Sequence, residues 1–209
     1  RRWRPGTLFL AVLAVGAITL LIHFNLKAPP PRRERALTRL TFDSGLQIGA
    51  TWSPDGRLIA YSSNRGGKFD IWVQQVAGGD PVQITRGLGH KWQPDWSPDG
   101  KYIAYRSEEG EGGLFIVPAL GGTARKITSF GYYPRWSPDS NWLTWARDLK
   151  SHLNAVFLYS LESGKTTQVT DGLSNAKYPA FDRDGKHLYF VASTNTGWAA
   201  SYLDISSMN

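Results

Sequence analysis

The 209-residue chain contains no cysteine. That removes disulfides, thiolate metal sites and a cysteine nucleophile together. Histidine is scarce: His23, His90, His152 and His187 stand far apart, with no HExxH or paired-histidine spacing. There is no G-x-S-x-G elbow, no P-loop and no G-x-G-x-x-G leading from a strand into a helix. Gly110–Gly113 (GEGG) is a turn-rich loop with no helical pattern after it. Asp182-Arg-Asp184-Gly185 resembles the opening of a calcium loop but lacks the closing glutamate, and reads as a turn. The chain is therefore expected to be non-catalytic, with no metal and no cofactor.

Charge is also missing from one long stretch. Between Thr7 and Leu26 there is no Asp, Glu, Lys or Arg over 20 residues, enough for a helix of about 30 Å. Basic residues flank it. Residues 1–36 carry an excess of six positive charges, whereas 37–209 are nearly balanced at +1. The net charge of +7 is thus no nucleic-acid footprint, which needs a basic face on the folded domain. The expectation is a cytoplasmic flank at 1–6, a single-pass transmembrane helix at 7–26, a stiff APPPRRER linker within 27–36, and an extracytoplasmic domain over 37–209. A cleaved signal peptide is the competing reading. The apolar run is long for one, and Leu26 before Ala28 makes a poor small-x-small site. The start at Arg1 hints at a longer protein.

What is plentiful is glycine (22), proline (12) and tryptophan (9), a mixture suited to short strands and tight turns. The sequence repeats itself. Trp52-Ser-Pro54-Asp55-Gly56 recurs as Trp96-Ser-Pro98-Asp99-Gly100, as Trp136-Ser-Pro138-Asp139-Ser140, and loosely as Phe181-Asp-Arg-Asp184-Gly185, at spacings of 44, 40 and 45 residues. That period suits a four-stranded propeller blade. Proline has the right φ for the second position of a type I turn, and glycine accepts the left-handed conformation that returns the chain. Apolar strands follow at Leu58–Tyr61, Tyr102–Tyr105, Trp142–Trp145 and Leu188–Val191. Third strands are expected at Asp70–Val76, Leu114–Pro118, Ala155–Leu161 and Ala199–Ile205. Fourth strands are expected at Val82–Thr85, Arg125–Thr128 and Thr167–Thr170. The aromatics Trp52, Trp96, Trp136 and Phe181 read as inter-blade packing residues. The last repeat lacks a fourth strand. Either Thr38–Thr41 supplies it and closes a four-blade ring, or further blades follow Asn209, which is the leading expectation.

These motifs resemble the WD-like propeller repeats of the TolB family over residues 37–209. Two narrower likenesses divide the chain. Leu40–Gly45, Asp70–Val76 and Leu114–Gly122 resemble propellers of bacterial membrane-anchored signalling proteins with serine/threonine kinase or winged-helix domains. Tyr178–Phe190 and Ala192–Ser207 resemble the propeller of tricorn-like peptidases. The first likeness implies an extracytoplasmic sensor that binds a protein, peptide or ligand. The second implies a gate for a serine peptidase whose catalytic domains lie outside this chain. A TolB-type envelope scaffold is a third reading. None transfers a catalytic residue here.

Propellers bind at one end of the ring. The loops between second and third strands, and between one blade and the next, share an end. They carry the candidate binding residues Arg65, Lys68, His90, Lys91, Glu108, Glu109, Tyr132, Tyr133, Arg147, His152 and Trp198, a mixture suited to peptide or protein contact.

Overall fold

The computed structural model describes residues 5–26, 37–149, 153–170 and 175–208. The chain divides into two units, Arg1–Arg39 and Leu40–Asn209. The first contains one helix, α1 (Pro5–Leu26). Among the described residues no helix is long and apolar enough to cross a membrane. The expected single-pass anchor over 7–26 is therefore not upheld, nor is the membrane localisation with an extracytoplasmic propeller. The expected linker at 27–36 lies outside the described residues.

The second unit is all β. The first sheet holds β1 (Gln47–Trp52), β2 (Leu58–Ser63), β3 (Asp70–Gln75) and β4 (Val82–Gln83). The second holds β5 (Lys91–Trp96), β6 (Tyr102–Ser107), β7 (Gly113–Pro118) and β8 (Arg125–Thr128). The third holds β9 (Tyr132–Trp136), β10 (Trp142–Asp148), β11 (Asn154–Ser160) and β12 (Thr166–Gln168). The fourth holds β13 (Lys177–Phe181), β14 (His187–Thr194) and β15 (Gly197–Asp204). Each sheet is an antiparallel meander in chain order, the architecture of propeller blades.

The motif turn explains why the first two strands of each blade meet. In the first blade the Gly56 amide donates to the Ser53 carbonyl at 2.9 Å, and the buried Ser53 hydroxyl accepts the Leu58 amide at 2.9 Å. The Asp55 carboxylate accepts the Ser53 hydroxyl and the Arg57 amide, and these two donors hold its pKa below the ordinary value. The same bonds recur around Ser97 and Ser137. In the fourth blade the Asp182 carboxylate takes the serine's place, accepting the His187 amide at 3.1 Å. Gly56, Gly100 and Gly185 have φ of 69°, 77° and 73°. Ser140 takes the same conformation at 63°, which costs an L-residue about 1 kcal/mol. Its hydroxyl is not idle, because it accepts the Asp99 amide of the preceding blade at 2.9 Å.

Consecutive blades pack through their first strands, β1 on β5, β5 on β9 and β9 on β13. Three apolar cores lie at these junctions. Trp96 sits with Ala60, Ile71 and Val73 of the first blade. Trp136 sits with Ala104, Leu114 and Ile116 of the second. Phe181 packs against the core of Val156 and Leu158 from the third. Among the described residues no blade packs on Trp52, which is 55% exposed, against 6% for Trp96 and Trp136.

The fourth sheet has three strands, as the repeat pattern implies. Thr38–Thr41 does not complete it. Residues 37–43 form no strand, and the Leu40 carbonyl is engaged by Gln74 Nε2 of the first blade at 3.2 Å.

Two substitutions at equivalent positions separate packing from mere repetition. Trp136→Ala is expected to lower unfolding free energy by about 3–5 kcal/mol, as for a buried aromatic truncation. Trp52→Ala is expected to cost under about 1 kcal/mol. Urea denaturation followed by circular dichroism checks both.

Candidate functional site

The first strand of every blade is bulged at the same place. Its register breaks between Ile48 and Thr51, Trp92 and Asp95, Tyr132 and Arg135, and Lys177 and Ala180. The residue responsible adopts a left-handed conformation each time: Gly49 at φ 64°, Gln93 at 55°, Tyr133 at 54° and Tyr178 at 55°. Proline follows in the last three blades, its own φ fixed by the ring immediately after the bulge. Successive bulges touch. A Cβ on Gly49 would lie 3.6 Å from Pro94 Cδ. The Tyr133 amide donates to Gln93 Oε1 at 2.8 Å. The Tyr133 and Tyr178 rings stand 5.1 Å apart, both exposed.

Beside this row Asp95 links the second and third blades. It accepts Arg135 Nη1 at 2.9 Å and the Trp136 amide at 2.9 Å. Burial raises its pKa, against the pull of the Arg135 charge and the Trp136 amide.

At one end of the second and third blades lies a cavity of about 400 Å³. Its walls are the β6–β7 hairpin loop, the Ser129–Tyr132 connection and the end of β10. Arg106 stacks over Tyr132 at 4.7 Å and pairs with Glu108 at 3.2 Å. Arg147 lies flat over Phe130 at 3.5 Å. Among the described residues no hydrogen bond or ion pair occupies its guanidinium donors. Glu111 and Asp148 add negative charge to the rim. Gly131 is fixed here by contact, since a Cβ would come within 2.5 Å of Trp145 Cδ1.

Of the expected binding residues, Glu108, Tyr132 and Arg147 meet in this cavity. Others are engaged inside the protein. Arg65 pairs with Asp43 at 2.8 Å and covers Trp72. Lys68 pairs with the buried Asp70. Lys91 is buried and bonds Glu109 Oε2 and the Gly89 carbonyl, each at 2.8 Å. The His90 ring accepts the Phe69 amide and packs against Phe69 and Trp92, whose own rings stand 4.2 Å apart. Tyr133 belongs to the bulge row, and Trp198 lies on the fourth blade under Lys177 at 5.3 Å. His152 lies outside the described residues. Arg106, Phe130, Gln93, Asp95, Arg135 and Tyr178 escaped the sequence reading. The repeated proline two residues before the blade aromatic, at Pro94, Pro134 and Pro179, was the available signal for the row.

Among the described residues one group could offer three metal ligands, Asp182, Asp184 and His187. It is the fourth blade turn. Asp182 accepts the His187 amide and pairs with His187 Nδ1 at 2.7 Å, and Asp184 accepts the Lys186 amide.

Comparison with known proteins agrees with the blade architecture. Residues 31–128 match the family described as TolB beta propeller domain. The uncharacterized protein Atu1656 of Agrobacterium fabrum is 40% identical over 57 residues, 27% of this chain and 20% of that protein. The uncharacterized peptidase YuxL of Bacillus subtilis is 28% identical over 206 residues, 75% of this chain and 31% of that protein. The chain thus spans less than a third of either relative. A TolB structure from Agrobacterium tumefaciens superposes with TM-score 0.67 at 24% identity, covering 79% of this chain and 60% of that one. The tricorn protease superposes with TM-score 0.57 at 17% identity, covering 70% and 16%. At these identities the structural likeness shows the fold, a β-propeller. The narrower likeness to kinase- or winged-helix-linked propellers is not carried by these comparisons.

Arg135→Ala leaves the Asp95 carboxylate without its counter-charge and is expected to destabilise by about 1–2 kcal/mol near neutral pH. The raised pKa sets the sign. Charging buried Asp95 opposes folding, so the loss should grow as pH rises through its pKa and fade below it. Urea midpoints of both proteins across acid and neutral pH measure this.

Proposed function

We propose that this chain is a non-catalytic binding propeller, with the cavity between its second and third blades receiving a segment of a partner protein or peptide. The observation that carries this reading is Arg147, stacked on Phe130 at the cavity rim, with no partner for its donors among the described residues. An arginine whose face is covered by an aromatic ring is pre-organised to offer its edge to an acceptor. The mixed charge of Arg106, Glu108, Glu111 and Asp148 suits a polar peptide backbone better than an apolar small molecule. The expected test is selection of peptides from a random display library on the full chain. Selected peptides should compete with one another and lose at least about tenfold in affinity, or 1.4 kcal/mol, on Arg147→Ala. Selection indifferent to Arg147→Ala would sink the cavity assignment.

A second reading is a substrate-gating propeller attached to a peptidase. The 28% identity to a protein named as a peptidase favours it, as does the fold shared with the tricorn protease. An envelope scaffold of the TolB type rests on the fold alone. Labelling of the native, full-length gene product by a fluorophosphonate serine probe is the expected result of the peptidase reading. Absence of labelling in catalytically competent extracts counts against it.

A further inference from the structure

Two consecutive glutamates in the β6–β7 loop are held in different ways. Glu109 takes the ammonium of the buried Lys91 at 2.8 Å. It also packs against the connection between the first two blades, where a Cβ on Gly87 would come within 2.3 Å of its Oε2. Glu108 is tied to Arg106 by a single Nη2–Oε1 bond of 3.2 Å, and the two side chains are 40% and 29% exposed. That bond is long for a charge-assisted one, which runs to about 2.7–2.9 Å. An arginine fork can grip both oxygens of a carboxylate, so one long bond uses a fraction of what Arg106 offers. A half-exposed pair of this kind is easily exchanged.

The cavity beside this pair is built from two arginine stacks. Arg106 of the second blade lies over Tyr132 at 4.7 Å, and Arg147 of the third lies over Phe130 at 3.5 Å. Gly131 separates the two rings in the chain. No side chain can enter the space at this position, because Gly131 has φ of 124° and a Cβ would come within 2.5 Å of Trp145 and 2.9 Å of Leu114. Gly110, Gly112 and Gly113 keep the loop wall equally bare. Stacking covers a face of each guanidinium and leaves its in-plane donors for an acceptor. The space suits a short side chain ending in a planar, two-oxygen group. Glu111 and Asp148 at the rim oppose a ligand with several negative charges, such as a phosphate-rich chain or nucleic acid.

We infer that this cavity, taken as the binding site proposed above, recognises a peptide segment through one aspartate or glutamate side chain, and that Glu108 is the internal stand-in for that group. In the free protein Glu108 holds Arg106. On binding, the carboxylate of the ligand takes its place on Arg106, inside the cavity that Arg147 also lines, and Glu108 turns out to solvent. Glu108 thereby competes with every ligand for Arg106, and a neutral side chain has no group with which to replace it.

The test uses the full chain and peptides selected on it from a random display library, synthesised with amidated C-termini. Titration calorimetry compares each peptide with its Asp→Asn or Glu→Gln form, and with its free-acid form. The selected peptides are expected to share one acidic position, and the amide forms should bind at least about tenfold more weakly. Glu108→Gln should tighten the acidic peptides by about twofold to fivefold, the worth of the exposed pair it releases, and leave their amide forms unchanged. Arg106→Ala should erase the difference between acidic and amide forms. Should Arg106→Ala misfold by circular dichroism, Glu108→Gln and the peptide substitutions decide alone. Peptides that need Arg147 yet bind equally well as amides would keep the cavity as a binding site and sink its acidic specificity. Tighter binding by the free-acid forms would place a chain terminus in the cavity, against the inference. Acidic peptides that bind Glu108→Gln no more tightly than wild type would remove the stand-in role. Binding indifferent to Arg147→Ala is the separate failure of the site itself, and the inference falls with it.

Discussion

Everything in the blade domain depends on one contact, a large aromatic from the start of one sheet laid on a small residue in the middle of the sheet before it. No single sheet here could bury both faces alone. The aromatic removes its own area and that of its seat from water at once, at about 25 cal/mol per Å². Because the contact repeats along the chain, stability accumulates junction by junction rather than from one central core. The turn chemistry serves this contact. The Ser–Pro–Asp–Gly bend sets the spacing between the aromatic and the second strand that carries the seat, so the same few hydrogen bonds fix the geometry of each junction in turn.

The fourth blade shows how far the pattern can drift while keeping its geometry. Asp182 replaces the buried serine hydroxyl with a carboxylate, and His187 pairs with it. Burial alone would raise that carboxyl, yet the bonds from His187 hold it down to about 2. A carboxylate bonded to the His187 amide and ring thus does in one blade what a hydroxyl does in three. Ser140 is a second substitution of this kind. It gives up the glycine's freedom and gains a bond to the neighbouring turn.

Repeat period, strand order and turn positions were legible in the sequence because proline, glycine and aromatic residues punctuate at fixed offsets. Second and third strands fall where the apolar runs place them, and Arg125–Thr128 forms the strand its sequence implies. The site was less legible. Loop charges such as Lys68 and Lys91 look like free ligand groups in a sequence, but the fold brings Asp70 and Glu109 to them from other segments. Arg106 was not singled out, because its stacking on Tyr132 depends on a residue 26 positions away. Apolar length alone misled at the N-terminus, where 20 uncharged residues suggested an anchor that the described helix does not support. Thr38–Thr41 looked like a fourth strand because its pattern matches three real ones, yet its backbone is committed elsewhere.

The bulge row has a consequence for how such a chain avoids error while folding. Blades of near-identical sequence risk exchanging strands, since a first strand could hydrogen-bond to the wrong second strand or slip by one residue. A slip would carry Gln93, Tyr133 and Tyr178 out of the sites that tolerate their left-handed backbone and force their neighbours, including three prolines, into it. Proline cannot adopt that conformation. The irregularity in each inner strand is therefore a register key, which lets repeated sequence be read only one way.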